Sequence, residues 1–162
     1  MQLHIIARDF VAPRNDEREK HGKPHMHAPS ITAFYLALLA LLYALLTLHV
    51  IRLRQGNRAA FGDGDSITLR RAIRAHSNFI EYVPIVTLMV GFMEMSGASA
   101  VRIHLLMGAL VVSRLLHPLG MYAAPNTQAF RIGRVGGMTL TIGLLIACAL
   151  MILSRLVLGG SN

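Results

Sequence analysis

A group of polar residues near the middle of the chain has the types and the spacing to bind a small charged molecule. Arg74, Asn78 and Glu81 follow one another at intervals of four and three residues. At about 100° per residue of helix, Asn78 lies roughly 40° from Arg74, and Glu81 lies about 20° to its other side. They therefore form one polar stripe, which Arg70 extends toward the preceding loop. Such a stripe can hold a zwitterion, because guanidinium groups bind its carboxylates and the carboxylate binds its ammonium.

A purely structural role for this stripe is the alternative. Arg74 and Glu81 could belong to a salt-bridge ladder that only holds a helix bundle together. We favour the ligand site, because ionisable residues inside membrane segments are functional by default. His76 projects away from the stripe, and Pro84 removes one backbone hydrogen bond just beyond it, which permits a kink.

Further polar residues occur in the two hydrophobic segments that follow. Arg114 and His117 are three residues apart, so they are neighbours on one face of a helix. Arg131 and Arg134 stand at the start of the last segment. Two other interpretations stay open: Arg114 could simply pair with Glu81, and a lone histidine here is more often a packed, hydrogen-bonded residue than a catalyst.

The composition indicates that these groups belong to a membrane protein. Of the 162 residues, 54% are hydrophobic and only 15% are charged, whereas a soluble domain usually carries about 25% charged residues. The net charge of +8 arises from 16 basic and 8 acidic residues, and in so apolar a chain it indicates basic loops and not a nucleic-acid-binding face. The single cysteine, Cys148, excludes an internal disulfide, and we expect no metal site.

Four hydrophobic segments predict the fold. The predicted helices cover about 31–51, 67–96, 101–122 and 131–158. Twenty-one helical residues span about 30 Å, which is the thickness of the hydrocarbon core of a bilayer. A spanning helix satisfies its own backbone hydrogen bonds, so we expect an all-α membrane domain at 29–160, built as a bundle of four transmembrane helices.

The charges of the loops predict the orientation of the chain in the membrane, and the small residues of the last helix predict how the helices pack. Arginines cluster after the first helix and between the last two, whereas the opposite side has only Arg102 and Arg155 near the helix ends. The positive-inside rule therefore places both basic loops in the cytoplasm and both termini outside. The last helix carries small residues that permit close helix packing and self-association as a trimer. These small residues are Gly133, Gly137, Gly143 and Ala147.

The N-terminal segment, 1–28, falls outside this pattern. Residues 8–23 hold five basic and four acidic side chains and few large apolar ones, a composition that predicts disorder. His21, His25 and His27 could be read as a metal-binding tract, but a short disordered segment does not hold three imidazoles in a fixed geometry. A native start at Met26, just ahead of the first helix, stays open.

The stretch from Arg74 to Pro84 reads Arg-Ala-His-Ser-Asn-Phe-Ile-Glu-Tyr-Val-Pro. It resembles the signature of the membrane-associated proteins in eicosanoid and glutathione metabolism, a family that includes microsomal glutathione transferases, prostaglandin E synthase and leukotriene C synthase. The resemblance covers about residues 30–158, through the number of helices, Arg-Leu-Arg at 52–54 and the Arg114–His117 pair. It implies a homotrimer of four-helix subunits that binds glutathione between neighbouring subunits near the cytoplasmic face.

The resemblance also implies roles for individual residues. Arg131 matches the family arginine that stabilises the glutathione thiolate, and Arg134 is the second candidate because the loop before it differs in length among members. The implied glutathione contacts are Arg52, Arg74, Asn78, Glu81, Tyr82, Arg114, His117 and Tyr122, and the polar stripe adds Arg70.

The chemistry that follows is activation of a thiol. A cysteine thiol has an unperturbed pKa of about 8.5 and attacks only as the thiolate. A desolvated arginine beside the sulfur lowers that pKa by about 1–3 units. The resemblance thus implies a transferase of a bacterial inner membrane, which conjugates glutathione to lipophilic electrophiles or reduces lipid hydroperoxides. Two alternatives stay open: a non-catalytic scaffold that binds glutathione or lipid, and a small transporter or channel subunit with the stripe as its pathway.

Overall fold

The computed structural model describes residues 28–124 and 126–159, and these form a bundle of four long helices. The first three helices are α1, Ser30–Gly56; α2, Ile67–Met95; and α3, Ala100–Tyr122. Each of the four is long and apolar enough to cross a membrane, so the predicted all-α membrane fold is confirmed. The expectations for the N-terminal segment up to residue 27, including a start at Met26, concern residues outside the described ranges.

The fourth helix, α4, is not uniform. It begins with Gln128–Phe130, continues through a π-helical segment, Arg131–Gly136, and ends with Gly137–Gly159. Its first turn is capped by Thr127, whose side-chain oxygen accepts a hydrogen bond from Phe130 N at 3.2 Å. The helix therefore starts slightly ahead of the predicted position at residue 131, because the capping threonine stands before the apolar segment.

The loop between α1 and α2 fixes the start of α2. Ser66 Oγ accepts a hydrogen bond from Leu69 N at 3.3 Å, which pairs one of the N–H groups that a helix start leaves free. Gly62 has a φ of 66°, which glycine adopts without steric strain. The guanidinium of Arg70 forms an ion pair with Asp63 and holds the pKa of that carboxyl below its ordinary value. These contacts tie the first turn of α2 to the loop.

The core of the bundle lies between α2, α3 and one face of α4. In the most apolar stretch of each helix, 39% of the residues are buried in α2 and in α3, but only 11% in α1 and 17% in α4. The outward side chains of α1 and α4 are largely leucine, isoleucine and valine. An exposed apolar surface of this extent is typical of a lipid-facing one.

Helices α3 and α4 touch backbone to backbone at a pair of glycines. A Cβ on Gly133 would lie 2.5 Å from Gly120 Cα and 2.8 Å from the Leu116 carbonyl oxygen, which is closer than packed atoms approach. One turn later, a Cβ on Gly137 would lie 3.1 Å from the Ser113 carbonyl oxygen. Glycines four residues apart thus let the two helices meet.

Gly143, expected to belong to the same packing face, does not join it within the chain. A Cβ at this position would have nothing within 4 Å. The α-helical rotation from Gly137 to Gly143 carries the later glycine to the exposed side of α4, away from α3.

Candidate active site

A cleft of about 490 Å³ opens between α2, the end of α3 and the first turns of α4. It lies at the end of the bundle that carries the two basic loops. Such a volume is within the range of small-molecule sites in proteins. The predicted stripe on α2 lies along one wall, and methionine and aliphatic side chains form the remainder. The polar residues that line the cleft are Arg74, Ser77, Asn78, Glu81, His117, Arg134 and Thr139.

The stripe on α2 is not an internal ladder of ion pairs. Within the part of the chain that the structure describes, neither Arg74 nor Glu81 has an ion-pair partner, and Arg70 pairs with Asp63 in the loop. Arg74 and Glu81 are both exposed to the cleft. Their charged groups are therefore free to contact a ligand.

Behind this wall lies Arg114, whose side chain is 1% exposed. Its guanidinium donates hydrogen bonds to Asn78 Oδ1 at 2.6 Å and to the Asn78 carbonyl oxygen at 3.2 Å. It also donates to Thr141 Oγ1 and, through Nε, to Ser113 Oγ at 3.3 Å. The alternative pairing with Glu81 is not formed, and no carboxylate among the described residues neutralises this cation. A buried charge without a counter-ion carries a large desolvation penalty, which an anion nearby would reduce.

The network around Arg114 positions the amide of Asn78 in the cleft. With Oδ1 held by the guanidinium, Nδ2 is directed to the cleft side, where it lies 3.3 Å from Met138 Sδ. Sulfur is a weak acceptor, so a carboxylate or carbonyl of a ligand would be the better partner for this donor.

His117 contributes a second polar side chain to the wall of the cleft. Its side chain is 7% exposed and lines the cleft. No described residue accepts from or donates to its Nδ1. Gly137 of α4 packs against the backbone of His117, where an added Cβ would lie 3.2 Å from His117 N. Buried polar atoms are rarely left unpaired, and an unpaired one at a cleft is a candidate ligand contact.

The two candidate arginines of α4 line different cavities. Arg134 lines the cleft, and its guanidinium carbon lies 5.3 Å from the centroid of the Phe130 ring, a cation–π contact that orients the side chain. Arg131 lines a separate surface depression of about 730 Å³, together with Gln128 and Leu140. Both arginines belong to the π-helical segment, and such segments are frequent at functional sites.

The other residues expected from the sequence lie outside this cleft in the single chain. Tyr122 OH lies 2.8 Å from His49 Nε2 and so joins the end of α3 to α1. Arg70 is paired in the loop. Arg52 is exposed on α1 and Tyr82 is half-buried on α2, and neither lines the cleft.

Two features of the structure, one behind the cleft and one far from it, had not been expected from the sequence. The hydroxyls of Ser113 and Thr141 complete the shell around Arg114, and they lie 3.2 Å from each other. At the opposite end of the bundle, the Glu94 carboxylate accepts hydrogen bonds from Ile31 N at 2.9 Å and Thr32 N at 2.8 Å. It therefore caps α1, which has no capping side chain of its own. The absence of a capping side chain at the start of α1 was the sequence signal that could have indicated an acceptor from elsewhere in the chain.

Known proteins that are similar to the chain are also membrane proteins. The chain is similar to the inner membrane protein YecN of Escherichia coli K12 and to YecN of Escherichia coli O6:H1. Each is 40% identical to it over 92 residues, which are 57% of this chain and 70% of the relative. No solved structure matches the chain significantly. The four spanning helices and these relatives make it an integral inner membrane protein. The model of the MAPEG family matches residues 32–154, and the chain therefore belongs to the MAPEG family.

Proposed function

We propose that the protein is a membrane glutathione transferase that binds glutathione in the cleft and activates its thiol. The observation that carries this proposal is the buried, uncompensated guanidinium of Arg114 behind the cleft. Two more cations, Arg74 and Arg134, line the cleft, and Glu81 is the acidic residue among its lining side chains. The cleft therefore has an excess of positive charge and favours a ligand with more carboxylate than ammonium groups.

Glutathione matches this distribution of charge. At neutral pH the tripeptide carries carboxylates at both ends, one ammonium group and a thiol between them. Arg74 and the Asn78 amide are suited to a carboxylate, and Glu81 is suited to the ammonium. His117 also lines the cleft, and its imidazole is suited to a hydrogen bond with the peptide part of the ligand. The apolar part of the lining, which includes Met138, gives a lipophilic second substrate a route from the bilayer.

The thiolate needs a cation close to the sulfur. For glutathione held in the cleft of one chain, Arg134 is the arginine of α4 that can approach the thiol. Arg131, favoured by resemblance to the family, would act on a ligand that reaches across to a neighbouring subunit. The start of α4 also contributes partial positive charge, which favours an anion there. With an aryl halide, the thiolate forms a carbon–sulfur bond as halide leaves. With a lipid hydroperoxide, it takes the terminal oxygen as the O–O bond breaks, the lipid leaves as the alcohol, and a second glutathione converts the sulfenic acid into glutathione disulfide and water.

We also propose that the protein is a homotrimer. Arg52 and Tyr82 lie outside the cleft of their own chain, so they contact the ligand only if a second copy brings them to it. Mass measurement in a mild detergent should give a trimer. A stable monomer, with no trimer captured by crosslinking in native membranes, would contradict this assembly.

Calorimetric titration of glutathione tests the binding site. Arg74→Ala, Glu81→Gln and the double variant should each weaken binding at least about tenfold, as expected when a charge-assisted hydrogen bond to the ligand is lost. Arg58→Gln is the matched control, because this arginine lies in the loop after α1 and does not line the cleft. Unchanged affinity in all three site variants would overturn the proposed site.

A further inference from the structure

A second polar cavity lies at the end of the bundle opposite the cleft. It has a volume of about 730 Å³ and lies where α2 ends, α3 begins and α4 ends. One side is polar and carries Arg102 and Arg155 with the Ser96–Ser99 turn, and the other side is apolar and includes Met93 and Ile152. An amphipathic cavity of this kind fits a ligand with one charged end and one apolar end.

The polar side carries positive charge without a counter-ion. The Arg155 guanidinium donates to the Ser96 carbonyl oxygen, which holds it against the turn between α2 and α3. Arg102 has no hydrogen-bond or ion-pair partner among the residues that the structure describes. Glu94, the acidic residue nearest in sequence, does not line the cavity, because its carboxylate accepts from the backbone of α1. The cavity is therefore complementary to an anion.

The depth of the cavity corresponds to the headgroup level of a membrane. Arg155 stands four residues before the end of α4 at Gly159, a distance of about 6 Å along the axis. Arginine side chains near a helix end extend to the interface between hydrocarbon and headgroups. Ser99, at the start of α3, makes no capping hydrogen bond through its side chain, so the first N–H groups of α3 add donors for an anion at this level.

We infer that this cavity binds an anionic glycerophospholipid, with the phosphate between Arg102 and Arg155 and an acyl chain along the apolar side. Arginine binds phosphate in a bidentate manner. A lipid is favoured over a free anion because half of the lining is apolar and meets the hydrocarbon region. By the positive-inside rule this end faces outward, so the lipid would belong to the outer leaflet and would neutralise arginines on the side that is otherwise poor in positive charge.

Native mass spectrometry of protein released from nanodiscs tests this inference. The nanodiscs contain phosphatidylglycerol and phosphatidylcholine in equal amounts. The wild type should retain phosphatidylglycerol preferentially, Arg102→Gln should reduce that retention about tenfold or more, and Arg102→Gln combined with Arg155→Gln should abolish the preference. Arg58→Gln, which removes the same charge at the opposite end of the bundle, should retain the lipid as the wild type does.

Three results would overturn the inference. The first is equal retention of phosphatidylglycerol by the double variant and the wild type. The second is equal retention of the two lipids by the wild type. The third is displacement of the bound lipid by millimolar inorganic phosphate, which would indicate a site for a free anion. Because Arg102 has no partner within the described chain, its substitution alone tests the site without removing an internal contact.

Discussion

The contact between Gly133 and Gly120 leads to the sharpest prediction about how the cleft is built. In Gly133→Ala, the new Cβ would lie 2.5 Å from Gly120 Cα, 2.6 Å from Gly120 N and 2.8 Å from the Leu116 carbonyl oxygen. Carbon atoms pack best at about 3.5–4.0 Å. All three neighbours are backbone atoms and cannot turn away, so α3 and α4 would have to separate by about 1 Å.

This separation should lower both stability and binding. Overpacking of a tight contact costs about 1–3 kcal/mol, and the higher helix propensity of alanine returns up to about 1 kcal/mol. Because the clash is with backbone atoms, the cost should be about 2–3 kcal/mol, and we therefore expect a net loss of about 1–2 kcal/mol of unfolding free energy. Arg134 directly follows Gly133, and His117 lies one turn before Gly120 on α3, so the same movement widens the cleft between them. A displacement of about 1 Å in a catalytic site can reduce activity about 10²-fold.

Gly143→Ala is the matched control, with the same substitution in the same helix. Nothing lies within 4 Å of its Cβ position, so alanine should be neutral or stabilise α4 by up to about 1 kcal/mol. Thermal unfolding in one detergent and glutathione titration would compare both variants with the wild type. If Gly133→Ala is as stable as Gly143→Ala and binds glutathione equally well, the proposed role of the glycine contact is wrong.

Two further substitutions separate the fold from the site. Glu94→Gln removes a charged cap from the start of α1 and should lower the unfolding free energy by about 1 kcal/mol in thermal unfolding. Glutathione affinity should be unchanged, because Glu94 lies at the opposite end of the bundle from the cleft. An unaltered unfolding temperature would contradict the capping role. Arg114→Met removes the desolvation cost of a buried cation but leaves Asn78 and Thr141 without its donors, so we expect a loss of no more than about 1–3 kcal/mol of unfolding free energy and a protein that still folds. The same variant should weaken glutathione binding in calorimetry at least about tenfold, because the Asn78 amide is no longer oriented and the buried positive charge behind the cleft is removed. Wild-type affinity would refute this role.

The helices and the stripe were predictable because they depend on local sequence. Apolar segments of spanning length indicate helices wherever they occur. The rotation of about 100° per residue places Arg74, Asn78 and Glu81 on one face of their helix, independently of how the other helices pack. The structure brings these three residues into the same cleft. The extension of α1 to Gly56, beyond the apolar segment, was not predictable from hydrophobicity, because those last turns are polar.

The partners of Arg114 and Glu94 could not be predicted, since they depend on which faces of distant helices meet. Arg114 contacts Thr141, and Glu94 contacts Thr32, at separations over which helical periodicity carries no information. The choice between the arginines of α4 was ambiguous for another reason. Rotation per residue in a π-helical segment differs from that in an α-helix, so an α-helical projection does not show which arginine faces the cleft.

Ultraviolet titration of bound glutathione thiolate is the most direct test of the central claim, that this cleft activates a thiol. With purified wild-type protein at neutral pH, added glutathione should produce thiolate absorbance. Arg134→Ala should bind glutathione within about tenfold of the wild type yet lose thiolate formation and conjugation of a reactive aryl halide about 10²-fold, as expected for removal of one electrostatic stabiliser. A larger loss in Arg131→Ala would assign the sulfur to a site shared with a neighbouring subunit. Binding of glutathione by the wild type without any thiolate signal would contradict the account and would indicate a non-catalytic binding scaffold.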